Sequence, residues 1–300
     1  MSEIRFIRQP KVYLVGRQIV DEAALERFLS LEGVTFWETD TDVAGEKLSE
    51  VAGRLCYMSF SKPRPGGNKA YIDHILESGH GSVLEHAVFN LIISGVSRSF
   101  THELIRHRAG FGYSQLSQRF VDESQCSFVL PPLYEIMVEA DRVVKEIESF
   151  NDHCLSQQDW DSIKPYPPNL LNLSACYHRW LKFMAYARET YADQVALLME
   201  YHPHLLAIDD RTARRKAARQ AARSVLPNAT ETKIFVTANA RAIRTFAEQR
   251  AALTADAEMR RVAVEIVKLM KRELPSMFGD FEILTTPEGE EYATPKYHKV

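Results

Sequence analysis

The chain has 300 residues, 45% hydrophobic and 26% charged, enough for a sizeable core in one large domain or two smaller ones. A formal net charge of -3 excludes a wholesale polyanion binder, so any affinity for phosphate or nucleic acid has to come from local clusters. The opening Met1-Ser2-Glu3-Ile4-Arg5 lacks the order of a secretory signal, no stretch nears the roughly 18 uninterrupted apolar residues of a membrane span, and Cys56, Cys126, Cys154 and Cys176 form no Cys-x-x-Cys pair, so a cytoplasmic protein with reduced, buried or incidental thiols is expected.

Val12-Tyr13-Leu14-Val15 reads as a short strand, followed by a helix from Asp21 to Leu31 with an acidic first turn and a second from about Val43 to Tyr57. The run from Ser61 to Asn68 is loop chemistry, and a helical pattern from Lys69 to Ser78 stops at Gly79. Glu85 to Ser94, with Val88, Leu91 and Ile93 too densely apolar for a surface strand, predicts a buried central one. Ser97 is placed to cap a helix ending near Arg108, with Gly110 as its stop. On that helix Arg98, His102 and Arg106 would share a face, and Glu103 lies within one turn of Arg106 and His107. A further strand is predicted from Gln115 to Val121. Pro131-Pro132 then opens a mostly helical region to about Leu226, broken at Lys164-Pro165-Tyr166-Pro167-Pro168, in which Leu173 to Tyr201 forms one long helix. A strand at Thr232 to Thr237, helices at Asn239 to Ala251 and Thr254 to Glu273, and a loop or peripheral ribbon from Thr285 to Val300 complete the chain. Helices and a few strands without regular βαβ alternation predict an α+β fold. No Gly-x-Gly-x-x-Gly or Walker loop is present, so a dinucleotide would not bind in Rossmann fashion.

Basic residues gather in three places. Arg106-His107-Arg108 is separated from Ser114-Gln115-Leu116-Ser117-Gln118-Arg119 by a spacer carrying Gly110 and Gly112. Guanidinium forks match phosphate oxygens and uracil-type carbonyl edges through paired hydrogen bonds, whereas a solvated helix end complementing its dipole is the bland alternative. Arg211 to Arg223 places Arg211, Arg215, Arg219 and Arg223 on one stripe opposite Ala217, Ala218, Ala221 and Ala222, a small face for packing and a cationic face for water or an anion. Arg223, just before Val225-Leu226-Pro227, is expected where this helix runs into the core. The third group is Asn239-Ala240-Arg241, Thr245 and Arg250. Arg250 lies near the apolar side made by Ile243, Phe246 and Ala247 and needs a partner, either a carboxylate such as Glu258 or Asp256 or a ligand oxygen. His80, His202 and His204 have no ligating partner at helical or loop spacing, so no metal site is expected. Ser117 has no adjacent general base, which favours hydrogen bonding over nucleophilic attack.

The chain resembles the flavin-dependent thymidylate synthases (ThyX), whose signature is Arg-His-Arg, seven or eight residues, then Ser-x-Arg. Arg106-His107-Arg108, an eight-residue spacer and Ser117-Gln118-Arg119 satisfy it. Gly79-His80-Gly81-Ser82-Val83-Leu84-Glu85-His86, Thr101-His102-Glu103-Leu104-Ile105, the run from Ala221 to Thr232 and Asn239-Ala240-Arg241 extend the likeness from about residue 50 to 280, least between 140 and 205.

The resemblance implies one catalytic domain over 1-300, with a central mostly antiparallel sheet flanked by helices, a helical elaboration about 133-205 and a peripheral tail about 285-300. It implies reductive methylation of dUMP to dTMP, with methylenetetrahydrofolate as carbon donor, FAD as redox carrier and NADPH as reductant, in a homotetramer whose active sites are shared between subunits. The partners are then small molecules, neither nucleic acid nor membrane, and the protein positions and polarises while flavin and folate carry the hard chemistry. By resemblance Arg250 stabilises the ionised uracil and, with Ser117, is a candidate catalytic residue. Glu103, Arg106, Gln115, Leu116, Ser117, Gln118, Arg119, Arg223 and Arg250 would bind dUMP, with Arg119 and Ser117 at its phosphate. Arg106, His107, Arg108, Asn239, Arg241 and Thr245 would bind FAD, Asn239 and Arg241 from another subunit.

Departures from the family pattern are Thr245 for His or Asn, Val88 for Ser or Thr, the glycine-bearing spacer, and Phe120 for Tyr, and they cluster at the flavin side. Two other readings are a methylase of another pyrimidine nucleotide such as UMP and a nucleic-acid-binding module using the Arg211 to Arg223 stripe. The net acidity and the lack of interleaved aromatics weigh against the second.

Overall fold

The computed structural model describes residues 4–62, 64–150 and 169–300, the last four before the gap by backbone alone. The expected break at 164–168 and Cys154 lie outside the described residues. Strands run at Phe6–Ile7 (β1), Lys11–Arg17 (β2), Val88–Ser97 (β3), Phe111–Gln115 (β4), Phe128–Val129 (β5), Glu231–Asn239 (β6), Phe281–Thr285 (β7) and Glu291–Pro295 (β8). The longer helices are Glu22–Leu31 (α1), Ala44–Leu55 (α2), Gly67–Glu77 (α3), Arg98–Leu104 (α4), Glu135–Phe150 (α5), Leu170–Tyr201 (α6), Arg211–Ala222 (α7), Ala240–Arg250 (α8) and Ala257–Glu273 (α9). They pack as two compact units, one of residues up to Arg8 with Ser97–Ser99 and Leu116–Thr232, the other of Gln9–Val96, Phe100–Gln115 and Lys233–Val300.

The second unit holds most of a four-stranded sheet of order β2-β3-β6-β4, in which β2 and β3, and β4 and β6, pair antiparallel. Flanked on both sides, β3 is the internal strand its apolar density predicted, and Phe89, Leu91 and Ile93 alternate into the core as the pleat requires. It begins later than expected, because Gly81–His86 forms a 3-10 helix, and Val88 is only half-buried. Ile243, Phe246 and Ala247 of α8, with Val262, Val267 and Met270 of α9, belong to the same core cluster as these strand residues. Within it Arg244 is clasped by both carboxylate oxygens of Asp280 (2.6 and 2.9 Å), the Tyr297 carbonyl (3.2 Å) and the Met277 carbonyl. A buried charge satisfied on several sides is tolerated, and removing one partner typically costs about 3–5 kcal/mol. The tail supplies β8, which pairs with the preceding β7 as a ribbon, and its Ala293 and Val300 are buried in the core.

In the first unit β1 pairs parallel with β5, and Phe128, Met184 and Cys126 form a small core with Leu226 packed against it. Cys56 and Cys176 are exposed free thiols. Ala218 and Ala222 of α7 are buried, as the small-residue face required, while Arg211 and Arg215 are exposed and Arg219 binds Asp122 (2.7 Å) and the Phe120 carbonyl (2.6 Å). Arg223 is exposed instead of running into the core: the chain tightens into a 3-10 turn over Arg223–Val225, and Leu226 is the residue that turns inward.

Two expectations around the signature change. Helix α4 stops at Leu104, and the backbone amides of Arg106 and His107 donate to the carbonyls of Glu103 (3.2 Å) and Leu104 (3.0 Å), so Arg106 leaves the face shared by Arg98 and His102. The nearby strand is β4, the spacer itself, and not Gln115 to Val121. Phe111, Tyr113 and Gln115 are half-buried and alternate with exposed Gly112 and Ser114, in register from Phe111↔Ala238 to Gln115↔Ile234. Beyond it the Ser117 carbonyl accepts from the amides of Phe120 (3.1 Å) and Val121 (3.0 Å), closing a turn.

The two spacer glycines differ in what they tolerate. Gly110 has φ +73°, and an added Cβ would meet Asn239 Nδ2 at 2.6 Å and Ala242 Cβ at 2.8 Å, whereas at Gly112 the nearest atom is Thr237 Cβ at 3.8 Å. Gly110→Ala is expected to lower stability by about 1–3 kcal/mol. Gly112→Ala is expected to change it by less than about 0.5 kcal/mol. Urea unfolding of both variants checks the contrast, and equal losses would remove the steric explanation.

Candidate functional site

The turn that follows α4 is held from strand β4. The Tyr113 hydroxyl lies 2.6 Å from the carbonyl of His107 and 3.0 Å from that of Leu104, donating into the turn that ends the helix, where the Leu104 carbonyl also accepts from the His107 amide (3.0 Å). Burial raises the Tyr113 pKa well above its ordinary value, so the phenol keeps the proton it donates. Gln115, two residues on and on the same side of the pleat, donates to Thr101 Oγ1 (2.9 Å). Together they fix how Arg106, His107 and Arg108 leave the helix.

The His107 ring stands edge-on to Phe246 of α8, with centroids 5.2 Å apart. Its Nε2 accepts a hydrogen bond from Arg250 Nε (3.2 Å), and a second Arg250 nitrogen lies 3.5 Å from the Glu103 carboxylate. The expected partner of Arg250 is therefore found on α4 and its following turn, and not at Glu258 or Asp256. Burial, reinforced by the charges of Arg250 and Arg106 and opposed by Glu103, lowers the His107 pKa below its ordinary value. A neutral ring accepting at Nε2 carries its proton on Nδ1. The Arg250 side chain is about a quarter exposed there (26%).

Beside this trio opens a cavity of about 670 Å³ lined by His107, Arg108, Gly110, Phe111, Asn239, Arg241, Thr245 and neighbours from α8 and the last residues. Five of the six residues expected at the flavin line it, the exception being Arg106, and Asn239 and Arg241, expected from another subunit, line it in the same chain as His107 and Arg108. Asn239 caps α8, its Oδ1 accepting from the Ala242 amide (2.8 Å), and Thr245 Oγ1 donates to the Arg241 carbonyl (3.1 Å). Arg241 pairs with Glu85 (2.6 Å), whereas among the described residues no hydrogen bond or ion pair engages the Arg106 or Arg108 guanidinium. The concavity, the apolar ring of Phe111 and the cations suit a ligand with both a planar ring and an anion.

The first unit carries the remaining candidates, Leu116, Ser117, Gln118, Arg119 and Arg223. In the turn after β4, Ser117 Oγ lies 3.4 Å from the Arg119 amide, and among the described residues no histidine or carboxylate engages it, consistent with a binding hydroxyl. Arg119 Nε and Gln118 Nε2 are buried without a partner among the described residues, donors left for something else to satisfy. Arg98 of α4 is a further cation beside these residues. Its amide donates to the Asn228 (3.0 Å) and Thr230 (3.2 Å) carbonyls, tying it to the turn after Arg223, and burial with the Arg223 charge lowers its pKa despite Glu123. The charges of Arg98 and Arg223 act on each other there, and the sequence signal for Arg98 was its place on the stripe of α4.

Residues 39–276 match the family model described as "Thymidylate synthase complementing protein". Among relatives, the chain is 43% identical over 259 residues to the "Flavin-dependent thymidylate synthase" of Mycobacteroides abscessus, covering 86% of this chain and 87% of that protein. It is 42% identical to the protein of the same name from Mycobacterium marinum and 41% to that from Mycobacterium avium, each over 260 residues, covering 86% of this chain and 88% of the relative. With the Arg-His-Arg turn, the capped α8 and the cavity they line, these matches show that the chain belongs to the family of flavin-dependent thymidylate synthases.

Proposed function

We propose that the protein carries out the reductive methylation of dUMP to dTMP, with methylenetetrahydrofolate as carbon donor, FAD as redox carrier and NADPH as reductant. The observation that carries this reading is the cavity lined by His107, Arg108, Asn239, Arg241 and Thr245. Its donor set fits FAD: Arg108 has no protein partner among the described residues and matches a pyrophosphate, and Phe111 offers an apolar wall for a ring. Val88, where the family usually presents a hydroxyl, donates its backbone amide to Gln18 Oε1 (2.7 Å) and is not among the residues lining this cavity. Bound FAD supplies the transfer of reducing equivalents from NADPH to the methylene carbon.

The chain's own residues bind and polarise. Arg250, oriented by His107 and Glu103, holds a fixed positive charge that stabilises negative charge on the uracil ring as its N3 side ionises, which makes C5 the better nucleophile. Glu103, Arg106 and Gln115 join it at the base, and Leu116, Ser117, Gln118, Arg119 and Arg223 hold the nucleotide, the buried unpartnered Nε of Arg119 supporting a phosphate role. Family membership supports the wider reading of one catalytic domain working in a cytoplasmic homotetramer on small molecules.

Purified protein is expected to be yellow and to oxidise NADPH faster when dUMP is present. Arg250→Ala is expected to lose nearly all turnover, at least about a hundredfold for a charge aimed at the developing anion, while retaining flavin. A colourless protein that takes up no FAD would refute the reading, and flavin loss with intact dUMP affinity in the variant would refute the role of Arg250. Histidine NMR provides an independent check. The His107 ring is expected to titrate below 6.5 and to move part of the way back in Arg250→Ala, because burial, the larger cause, persists. Since the unfolded chain takes up that proton first, the associated stability is complete above 6.5 and is lost as pH falls toward the lowered value. Titration at or above 6.5 would contradict a neutral acceptor for Arg250.

A further inference from the structure

The cavity has a wall that the signature does not supply. Lys299 and Val300 line it together with Glu248 and Gln249 of α8, and both lie beyond the residues matched by the family model. Glu248 ties this segment down twice, accepting from His298 Nδ1 (3.1 Å) and from the Lys299 amide (3.1 Å). Val300 is 6% exposed, its backbone oxygen accepts from Arg241 Nε (3.4 Å), and its carbonyl carbon fills the space over Gly81, where a Cβ would come within 2.5 Å. Lys299 has φ +56°, a conformation that a non-glycine residue rarely keeps unless its surroundings impose it. Two anchors therefore flank one strained residue and set it at the cavity.

Charge explains what that residue can do there. Of the two cavity glutamates, Glu85 is engaged by Arg241 and Glu248 by His298 and the Lys299 amide, while the carboxylate at Val300 accepts from Arg241 Nε (3.4 Å). Arg108 and the Lys299 ammonium remain without a salt-bridge partner among the described residues, two cations on one concave surface. We propose that Lys299, held by Glu248 and Arg241, is a ligand for the pyrophosphate of the flavin dinucleotide. This rests on the cavity being the FAD site.

Full-length protein freed of flavin and titrated with FAD and with riboflavin, which has no phosphate, tests the inference by fluorescence. Lys299→Ala is expected to weaken FAD about tenfold while leaving riboflavin unchanged, and Lys299→Arg to restore most of the loss. FAD affinity of Lys299→Ala within twofold of wild type would overturn the assignment, as would an equal loss for riboflavin, which would mean that the segment only packs. A weakened KM for NADPH with FAD unaffected would also overturn it, moving the phosphate to the other dinucleotide. If wild-type protein itself binds no FAD, the functional reading fails with it, whereas tight FAD binding indifferent to Lys299 sinks this inference alone.

Discussion

One phenol holds the cavity side of the second unit in order. Tyr113, on the edge strand β4, bonds the carbonyls at the end of α4, and the direction in which the chain leaves that helix decides where His107 and Arg108 stand. His107 in turn receives Arg250 from α8, and Arg108 reaches the cavity whose opposite side is the N-terminus of α8. Gly110 lets the backbone cross against Asn239 and Ala242 without a side chain between them. Without the strand, the arginines would be the solvated helix end that local sequence equally allows.

The electrostatics follow from that geometry. A histidine partly buried between two arginines stays neutral, and a neutral ring can accept from Arg250 where a protonated one would repel it. The arrangement directs the Arg250 charge, with Glu103 as its ion-pair partner at 3.5 Å and His107 Nε2 accepting from its Nε. Elsewhere buried arginines are paired at short range with carboxylates, as Arg244 with Asp280 and Arg54 with Glu50. Arg106, Arg108 and Arg119 differ from these, since no hydrogen bond or ion pair engages their guanidiniums among the described residues.

Much of this was legible in the residues. The apolar density of β3, the long period of α6 and the caps of α1 and α8 are local signals, and local physics decides them. The spacer was not legible, because two glycines read as loop while the alternation of Phe111, Tyr113 and Gln115 becomes decisive only once β6 offers an edge to pair with. The helix before it looked longer because Arg106 and His107 keep helical spacing, yet Tyr113 captures the carbonyls that another turn would have used. Partners far apart in sequence were likewise hidden: Arg250 finds Glu103 and His107, and Lys299 carries no pattern at all until Glu248 is seen to hold its amide.

The most direct test is Tyr113→Phe, which removes one oxygen and keeps the ring stacked on Phe111. Loss of a neutral hydrogen bond should lower stability by only about 1 kcal/mol. Dependence of dUMP-stimulated NADPH oxidation on the turn predicts a fall in kcat of at least about tenfold, larger than that stability change explains, with the His107 titration displaced from its wild-type position. Wild-type turnover with an unmoved His107 would contradict the central role given to this clasp.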